Sequence, residues 1–256
     1  MISADLFNGI IWTMLALAVI VFVSLYFVNA GYGQFRSRGW GWSINNRLGW
    51  ILMEAPVFFV MLAIWIHGGS SRHVPELVLF CLFELHYLQR SFVFPFLLNG
   101  KGQMPVSIML MGVVFNTING LLQGGGLYWY PNPAYAEGSS YLLHWNALVG
   151  IALFLVGFAI NLHSDHVIRH LRQPGDTRHY LPQRGFYRYV TSANYFGELV
   201  EWTGFALAAA TPAAWVFPIW TAANLVPRAH AIHKKYRAEF GDEAVGKRKR
   251  IIPLIY

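Results

Sequence analysis

Long apolar runs separated by short polar connections fill most of the chain. The first run covers residues 5–29, and about 20 apolar residues are enough for a helix to cross a bilayer. Six further runs follow at about 48–66, 75–98, 105–129, 142–162, 193–211 and 214–226. The pattern predicts an all-α integral membrane protein, a single domain over residues 1–256 with seven transmembrane helices. Because the first run lacks a basic leading segment and a small-residue cleavage site, we interpret it as a retained helix.

Basic residues are distributed unevenly between the connections. The first, third and fifth connections and the C-terminal tail carry almost all of the lysine and arginine, whereas the opposite connections carry Arg72 alone. Because cytoplasmic connections collect positive charge, the N-terminus is predicted outside and the C-terminus in the cytoplasm. The net charge of +7 is therefore sorted by membrane side, and we expect no nucleic-acid partner.

The composition supports a membrane protein. Hydrophobic residues make up 55% of the chain and charged residues only 12%, whereas a soluble domain carries about 25% charged residues. A single cysteine, Cys81, excludes a disulfide framework. The membrane would be the inner membrane in a bacterium and the endoplasmic reticulum in a eukaryote.

Ionisable residues inside the predicted spans are candidates for a functional site, because such residues usually mark a site or a pathway. They are Glu54, Glu84, His86, Arg90, Glu198 and Glu201. Pairs that only hold helices together are the alternative, but six such residues in one small bundle favour a site. Apolar surroundings favour a protonated carboxyl, so Glu54 could donate a hydrogen bond. Tyr87 is a candidate donor to a ligand carbonyl or, alternatively, an interfacial tyrosine.

The segment 161–202 contains two sets of polar residues at helical spacing, each on one helix face. They are Asn161, Asp165, Arg169 and Arg172 on one helix and Asn194, Glu198 and Glu201 on the next. The loop between them, residues 173–188, is basic and rich in turn formers, which suits a phosphorylated ligand. The absence of G-x-G-x-x-G and P-loop motifs excludes a soluble-type dinucleotide fold. Spacing alone leaves NADPH, S-adenosylmethionine and a phospholipid headgroup open.

Several histidines raise the question of a metal site. His163, His166 and His170 stand at helical spacing, but arginines surround them and Asp165 is the single nearby carboxylate, so we predict no metal site. The same interpretation applies to the histidine pair at 230 and 233. The basic run 247–250 is most simply a contact with anionic lipid headgroups, with a direct phosphate role as the alternative.

The sequence resembles the steroid 5α-reductase family (3-oxo-5α-steroid 4-dehydrogenases) from residue 50 onward. The matching motifs, in the family's order, are MEAP at 53–56, HYLQRSFVFP from 86, LLNGKG from 97, NLHSDHVIRHLRQPG from 161, SANYFGELVEWTGFALA from 192, RAHAIHKKY from 228 and the ending KRKRIIPLIY. Met53 stands where mammalian members carry glutamine, and Lys101 alone supplies charge where they have an arginine-rich segment. We interpret the chain as a bacterial homologue.

The resemblance implies NADPH as cofactor and reduction of the Δ4 double bond of a 3-oxo-Δ4-steroid to a 5α product, by a monomer embedded in membrane lipid. Glu54 and Tyr87 match the family's catalytic pair at the steroid carbonyl. The positions that match its cofactor-contacting set are Asn161, Asp165, Arg172, Asn194, Glu198, Arg228, His233 and Tyr236. The expected substrate-binding residues are Met53, Glu201 and Trp202. Residues 1–100 would form the substrate-side helices and residues 101–256 the NADPH-binding region.

Other functions stay open. A reductase of another enone or of an enoyl lipid would use the same cofactor residues on a different substrate. A membrane S-adenosylmethionine-dependent methyltransferase would have related C-terminal helices but would not require Glu54 or the HYLQR segment. A non-enzymatic lipid-binding or transport bundle would be expected to show internal repeats or broken helices, and the sequence shows neither.

Overall fold

The computed structural model describes residues 1–28, 40–68, 73–98, 102–172, 176 and 178–256, and these are mostly helical. The α-helices are α1 Ala4–Ser24, α2 Asn46–His67, α3 Val74–Leu88, α4 Phe94–Leu97, α5 Val106–Tyr128, α6 Trp145–Arg169, α7 Ala193–Ala209, α8 Pro212–Phe240 and α9 Asp242–Val245. A π-helical segment covers Gln89–Val93, and 3-10 segments cover Pro133–Leu143 and Gly185–Arg188. Two short strands are β1 Ser43–Asn45 and β2 Gln103–Pro105.

Five stretches of the described helices are long and apolar enough to cross a membrane. They are α1, α2, the continuous stretch from α3 through α4, α5 and α6. The chain is therefore an all-α membrane protein, as the apolar runs predict. The sixth predicted run forms α7, which has 17 residues.

The seventh predicted run is the first half of a longer helix. The sequence predicts a basic tail from Arg228 onward, and α8 continues through the first part of this tail to Phe240. The reason is amphipathic packing: Ala229, Ile232 and Tyr236 recur on one helix face and are buried. The charged residues of this segment occupy positions between them and do not interrupt the helix.

The third predicted run is continuous but changes its winding near its end. Within the π-helical segment, the amide of Phe94 donates to the carbonyl of Gln89, five residues earlier. Pro95 follows at the start of α4. Because a proline lacks an N–H and its ring crowds the carbonyl four residues before it, a wider turn at this point accommodates it.

A two-stranded ribbon sets the starts of α2 and α5 beside each other. β1 and β2 pair antiparallel with Ser43 opposite Pro105, and each strand leads directly into a helix. Asn45 caps α2, because its side-chain oxygen accepts a hydrogen bond from the amide of Arg47 at 2.9 Å.

The described chain forms two compact units. The first comprises Met1–Met14, Ala30–Ile151 and Phe205–Phe217, and the second comprises Leu15–Asn29, Ala152–Gly204 and Pro218–Tyr256.

Glycines allow α2 and α5 to approach closely in the first unit. A Cβ atom at Gly112 would lie 2.2 Å from the side chain of Met53, and one at Gly124 would lie 2.9 Å from Ile64. A Cβ atom at Gly120 would lie 3.0 Å from the backbone carbonyl oxygen of Val57 on α2. Small residues at such spacing are typical of close helix contacts in membranes.

In the second unit, α6 and α7 make backbone contact. A Cβ atom at Gly157 would lie 2.3 Å from the amide nitrogen of Glu201, and one at Gly197 would lie 2.5 Å from the amide nitrogen of Asn161. This contact places the polar ends of both helices side by side.

Candidate functional site

Glu54 lies on α2 and forms hydrogen bonds to α5. The side-chain Nδ2 of Asn116 donates to Glu54 Oε2 at 3.2 Å and to the backbone carbonyl of Met53 at 2.8 Å. Asn116 is itself buried, so it holds the carboxyl in a defined orientation. A protonated carboxyl that accepts at one oxygen can donate from the other.

Tyr87 lies on α3 and is also hydrogen-bonded to α5. Asn119 Nδ2 donates to the Tyr87 hydroxyl oxygen at 3.2 Å. Gln123 in turn donates to Asn119 Oδ1 at 3.3 Å and to the carbonyl of Ala213 at 3.2 Å. A hydroxyl that accepts a hydrogen bond still has its own proton to donate. The chain of amides therefore orients Tyr87 as a hydrogen-bond donor.

The ring of Tyr87 is buried among aromatic side chains and closed to solvent. Its side chain is 2% exposed. The ring lies 4.8 Å from that of Phe83 and 4.9 Å from that of His86, and it stacks on Phe217 at 6.5 Å. In such surroundings a hydrogen bond to a developing charge is stronger than in water.

Sequence reasoning did not identify the three amides on α5. Asn116, Asn119 and Gln123 stand at i, i+3 and i+7 on one helix face within an apolar run. A similar helical spacing, i, i+4 and i+7, identified Asn194, Glu198 and Glu201 as candidates, so the signal was present. Amides carry no charge, which is why a search for ionisable residues passes over them.

A second polar cluster links α6 and α7. Asn161 Nδ2 donates to the carbonyl of Asn194 at 3.0 Å and to Glu198 Oε1 at 3.2 Å. Asn194 Nδ2 donates to Asp165 Oδ1 at 3.2 Å. The structure therefore brings together four of the eight residues that the resemblance assigns to the cofactor.

Tyr187, which sequence reasoning did not single out, completes this cluster. Its hydroxyl donates to Asn194 Oδ1 at 3.3 Å from the 3-10 segment. Complete burial raises the pKa of Tyr187 well above its usual value, and the nearby Asp165 raises it further. Tyr187 is therefore a neutral donor that fixes the orientation of the Asn194 amide.

The other predicted cofactor residues lie elsewhere in the second unit. Arg228 Nε donates to the Tyr195 hydroxyl at 2.7 Å. His233 Nδ1 lies 3.3 Å from Thr191 Oγ1. Tyr236 is buried on the same helix, α8, as Arg228 and His233.

The remaining residues singled out in the sequence lie at the end of α6 or in the loops. Arg172 is exposed just beyond the C-terminal end of α6. Lys101, Arg72 and the turn residues at 173–175 lie outside the described residues.

The predicted substrate-binding residues differ in exposure. Met53 is half-buried and packs against Gly112. Glu201 and Trp202 are almost completely buried, and the Trp202 ring lies edge-on to Phe154 at 5.9 Å.

The histidines of α6 interact locally. The rings of His166 and His170 lie 4.0 Å apart, and His170 Nδ1 is 2.8 Å from the carbonyl oxygen of His166. Within the described ranges, no group of three His, Cys, Asp or Glu side chains is arranged to hold a metal ion.

The second cluster has the donor and acceptor set that a phosphorylated dinucleotide requires. Its carboxylates can accept from ribose hydroxyls, and the second unit also contains Arg172 and Arg228, whose guanidinium groups can pair with phosphates. The buried hydroxyls of Ser164 and Ser192 make no hydrogen bond to any residue that the structure describes. They adjoin Asp165 and Ala193 in the chain. Buried polar atoms of this kind suit a polar ligand, so the residues present fit NADPH.

Glu84 is a buried acid of the first unit with no hydrogen-bond partner among the described residues. Its two carboxyl oxygens make no hydrogen bond to any described residue. An unsatisfied buried polar group costs about 1–3 kcal/mol.

We expect Glu84→Leu to raise the free energy of unfolding by about that amount, measured as a higher Tm in detergent. Glu84→Gln, which keeps the polar atoms, is the control and should give no such gain; a lower Tm for the leucine variant would contradict the prediction.

Comparison with known proteins relates the chain to steroid-reducing enzymes. The family model for 3-oxo-5-alpha-steroid 4-dehydrogenase matches residues 102–256. The chain is 38% identical to 3-oxo-5-alpha-steroid 4-dehydrogenase 1 of Bos taurus over 93% of this chain and 92% of the relative. It is 39% identical to the Mus musculus protein of the same name, over the same shares. It is also 33% identical to steroid 5-alpha-reductase DET2 of Gossypium hirsutum, over 98% of both chains.

Proposed function

Because the chain belongs to the 3-oxo-5-alpha-steroid 4-dehydrogenase family, which is an oxidoreductase family, we propose that it uses NADPH to reduce the Δ4 double bond of 3-oxo-Δ4-steroids. The product is the 5α-3-oxosteroid. The names of the mammalian and plant relatives support the steroid substrate, and the donor set of the second cluster supports the cofactor.

The observation that carries this proposal is the arrangement around α5. Glu54 and Tyr87 come from different helices, yet Asn116 and Asn119 of one helix face hold both of them. Two donors that are oriented by successive positions of one helix face suit a single ligand oxygen. A ketone oxygen conjugated to a double bond is such an acceptor.

The chain's contribution to the reaction is electrostatic. Tyr87 and protonated Glu54 donate hydrogen bonds to the steroid C3 oxygen, where negative charge develops as the double bond is reduced. Donors aimed at a developing charge stabilise the transition state more than the ground state. NADPH, when bound, would supply the hydride that adds at C5, and a proton from solvent or a nearby group would then add at C4 to complete the reduction. The buried position of Tyr87 would exclude water from the C3 oxygen.

The second cluster holds the cofactor in this proposal. Asn161, Asp165, Asn194 and Glu198 accept from and donate to its polar groups, and Arg172 and Arg228 pair with its phosphates. Met53, Glu201 and Trp202 contact the substrate, while His233 and Tyr236 complete the cofactor set. Residues 1–100 carry the substrate-side helices and 101–256 the cofactor region.

We further propose that the monomer has seven spans, with the N-terminus outside and the C-terminus in the cytoplasm. The five apolar helices support this topology, together with the basic character of one set of connections. The membrane is the bacterial inner membrane if the source is prokaryotic and the endoplasmic reticulum if it is eukaryotic.

Arg172→Ala is expected to weaken NADPH binding by about 10- to 100-fold, because a hydrogen bond to a charged group contributes about 1.5–3 kcal/mol. The measurement is the NADPH Kd of the purified full chain by calorimetry. Arg47→Ala removes an exposed arginine of the first unit, outside the proposed set, and serves as the matched control, with an unchanged Kd. An unchanged Kd for Arg172→Ala would remove this residue from the cofactor site.

The decisive experiment is NADPH oxidation by the full chain in detergent, with and without testosterone or progesterone, and with the C5 configuration of the product determined. Steroid-dependent oxidation that gives a 5α product supports the proposal. NADPH binding without steroid reduction would move the substrate to another enone or an enoyl lipid. Binding of S-adenosylmethionine in place of NADPH would favour a methyltransferase and remove the roles of Glu54 and Tyr87.

A further inference from the structure

Two adjoining open cavities at the C-terminal end of α8 are lined mainly by cationic side chains. Their volumes are about 270 and 290 Å³, and they share His233, Arg237 and Arg250. The remaining lining residues are Gly246, Lys247, Arg248 and Lys249 in one cavity and His230 and Lys234 in the other. Asp242 pairs with Arg237, and within the described ranges no carboxylate lines either cavity. The two cavities, called here the basic cavity, therefore carry an excess of positive charge.

The backbone fixes these cations in place. Lys249 donates from its amide to the carbonyl of Tyr189 at 2.9 Å, and its own carbonyl accepts from the amide of Thr191 at 2.9 Å. The next residues continue the anchoring, since Ile251 is fully buried in an apolar cluster with Leu225 and Ala229. A basic tail that is only solvated would have neither these backbone hydrogen bonds nor a buried residue directly after it. The basic cavity is therefore preorganised for an anion.

Groups inside the cavity have the properties of an anion site. Burial lowers the pKa of His230 and of His233, and the charge of Arg250 lowers both pKa values further. The buried atoms Arg250 Nε and His230 Nδ1 make no hydrogen bond to any residue in the described ranges. An oxyanion would provide both the charge and the acceptors that this arrangement lacks.

An exposed apolar turn lies directly beyond the basic cavity. The amides of Ile251 and Ile252 both donate to the carbonyl of Tyr256, at 2.8 and 2.9 Å, which closes the turn. Leu254 is 85% exposed and Ile255 75% exposed at its tip. Leu254 has a φ of +66°, a backbone conformation that leucine rarely adopts. The strained backbone of Leu254 therefore lies in a turn whose two apolar side chains point outward.

This turn lies at the level where the first membrane helix ends. α1 ends at Ser24, and the hydroxyl of Tyr26 is 3.4 Å from that of Tyr256. The Tyr26 ring also lies 5.6 Å from that of His230, at the edge of the basic cavity. The adjoining Phe27 is 83% exposed. The position at the end of an apolar helix places the cavity at the height of lipid headgroups.

We propose that the basic cavity and the turn at 254–255 together bind an anionic phospholipid, with its phosphate in the cavity and an acyl chain along Leu254 and Ile255. A free phosphate would use the cavity alone and leave the apolar turn without a role. The lipid satisfies both features, because headgroup charge and acyl chain are joined in one molecule. The proposal rests on the membrane location of α1 and not on the reaction proposed above.

The test uses the delipidated full chain in detergent and native mass spectrometry with dioleoylphosphatidylglycerol and dioleoylphosphatidylcholine. The wild type should bind the anionic lipid at least about tenfold more tightly, because each nearby cation adds about 1 kcal/mol. Both Lys247 and Lys249 are exposed, so Lys247→Gln with Lys249→Gln should fold and lose most of this preference. Leu254→Ser with Ile255→Ser should weaken the binding of both lipids.

The matched control is Arg184→Gln with Arg188→Gln, which removes the same charge from exposed positions outside the cavity and should keep the lipid preference. Equal binding of the two lipids by the wild type, or equal loss of preference in the control, would overturn the proposal. Displacement of the anionic lipid by millimolar inorganic phosphate, with no effect of the serine substitutions, would assign the cavity to a free phosphate. A raised KM for NADPH with intact lipid preference in the lysine variant would assign it to the cofactor.

Discussion

Tyr87→Phe is expected to lower kcat for steroid reduction by about 10²–10³-fold, because removing one donor to a developing oxyanion costs that much. The substitution removes one hydroxyl and keeps the ring, which packs on Phe83 and Phe217. The fold should therefore survive. The donor from Asn119, now facing a ring edge, loses its acceptor, which adds a small stability cost. The measurement is single-turnover reduction at saturating NADPH, with the NADPH Kd determined alongside.

The matched control for this change is Tyr189→Phe, which makes the same substitution at an exposed tyrosine. It should leave kcat unchanged. An NADPH Kd near the wild-type value in Tyr87→Phe would separate a role at the steroid carbonyl from damage to the cofactor site. Near-normal turnover in Tyr87→Phe would remove the proposed role of this hydroxyl.

Gly157→Ala is expected to destabilise the protein by about 3 kcal/mol or more, at the upper end of the range for overpacking. The new methyl group would lie 2.3 Å from the amide nitrogen of Glu201 and 2.6 Å from the carbonyl oxygen of Gly197. Both neighbours are backbone atoms, so α6 and α7 must separate. Separation lengthens the hydrogen bonds from Asn161 to Asn194 and Glu198. NADPH binding should therefore fail together with stability, and Tm should fall by about 10 °C.

Gly9→Ala provides the matched control on α1. A Cβ atom at Gly9 meets nothing within 4 Å. Alanine in a helix interior is more favourable than glycine by about 1 kcal/mol, so Tm should stay the same or rise slightly. An equal fall in Tm for both variants would show that the close α6–α7 contact is not the cause.

Local sequence determined the helices and the class of the protein. Runs of about 20 apolar residues must bury their backbone polar groups within the helix when they enter a bilayer, so the positions of the five membrane-length helices follow from hydropathy. Helical spacing likewise placed Asn161 and Asp165 on one face of α6 and Asn194 and Glu198 on one face of α7. The structure joins these two faces through hydrogen bonds from Asn161 and Asn194. The family's motifs supplied Glu54 and Tyr87, whose roles remain predictions.

Only the tertiary structure decided which polar groups meet. The bond from Asn116 to the carbonyl of Met53 joins positions 63 residues apart, and periodicity carries no information about such pairing. The end of α8 is a similar case, because its charged residues suggested a tail while burial of Ile232 and Tyr236 against the rest of the unit keeps the helix intact to Phe240. The sequence predicts that the basic run 247–250 contacts anionic lipid headgroups, but it does not predict a cavity there. In the structure, this run forms backbone hydrogen bonds with residues 189–192 and lines a cavity. The sequence could not show this, because backbone hydrogen bonds between distant segments depend on the fold and not on local propensity.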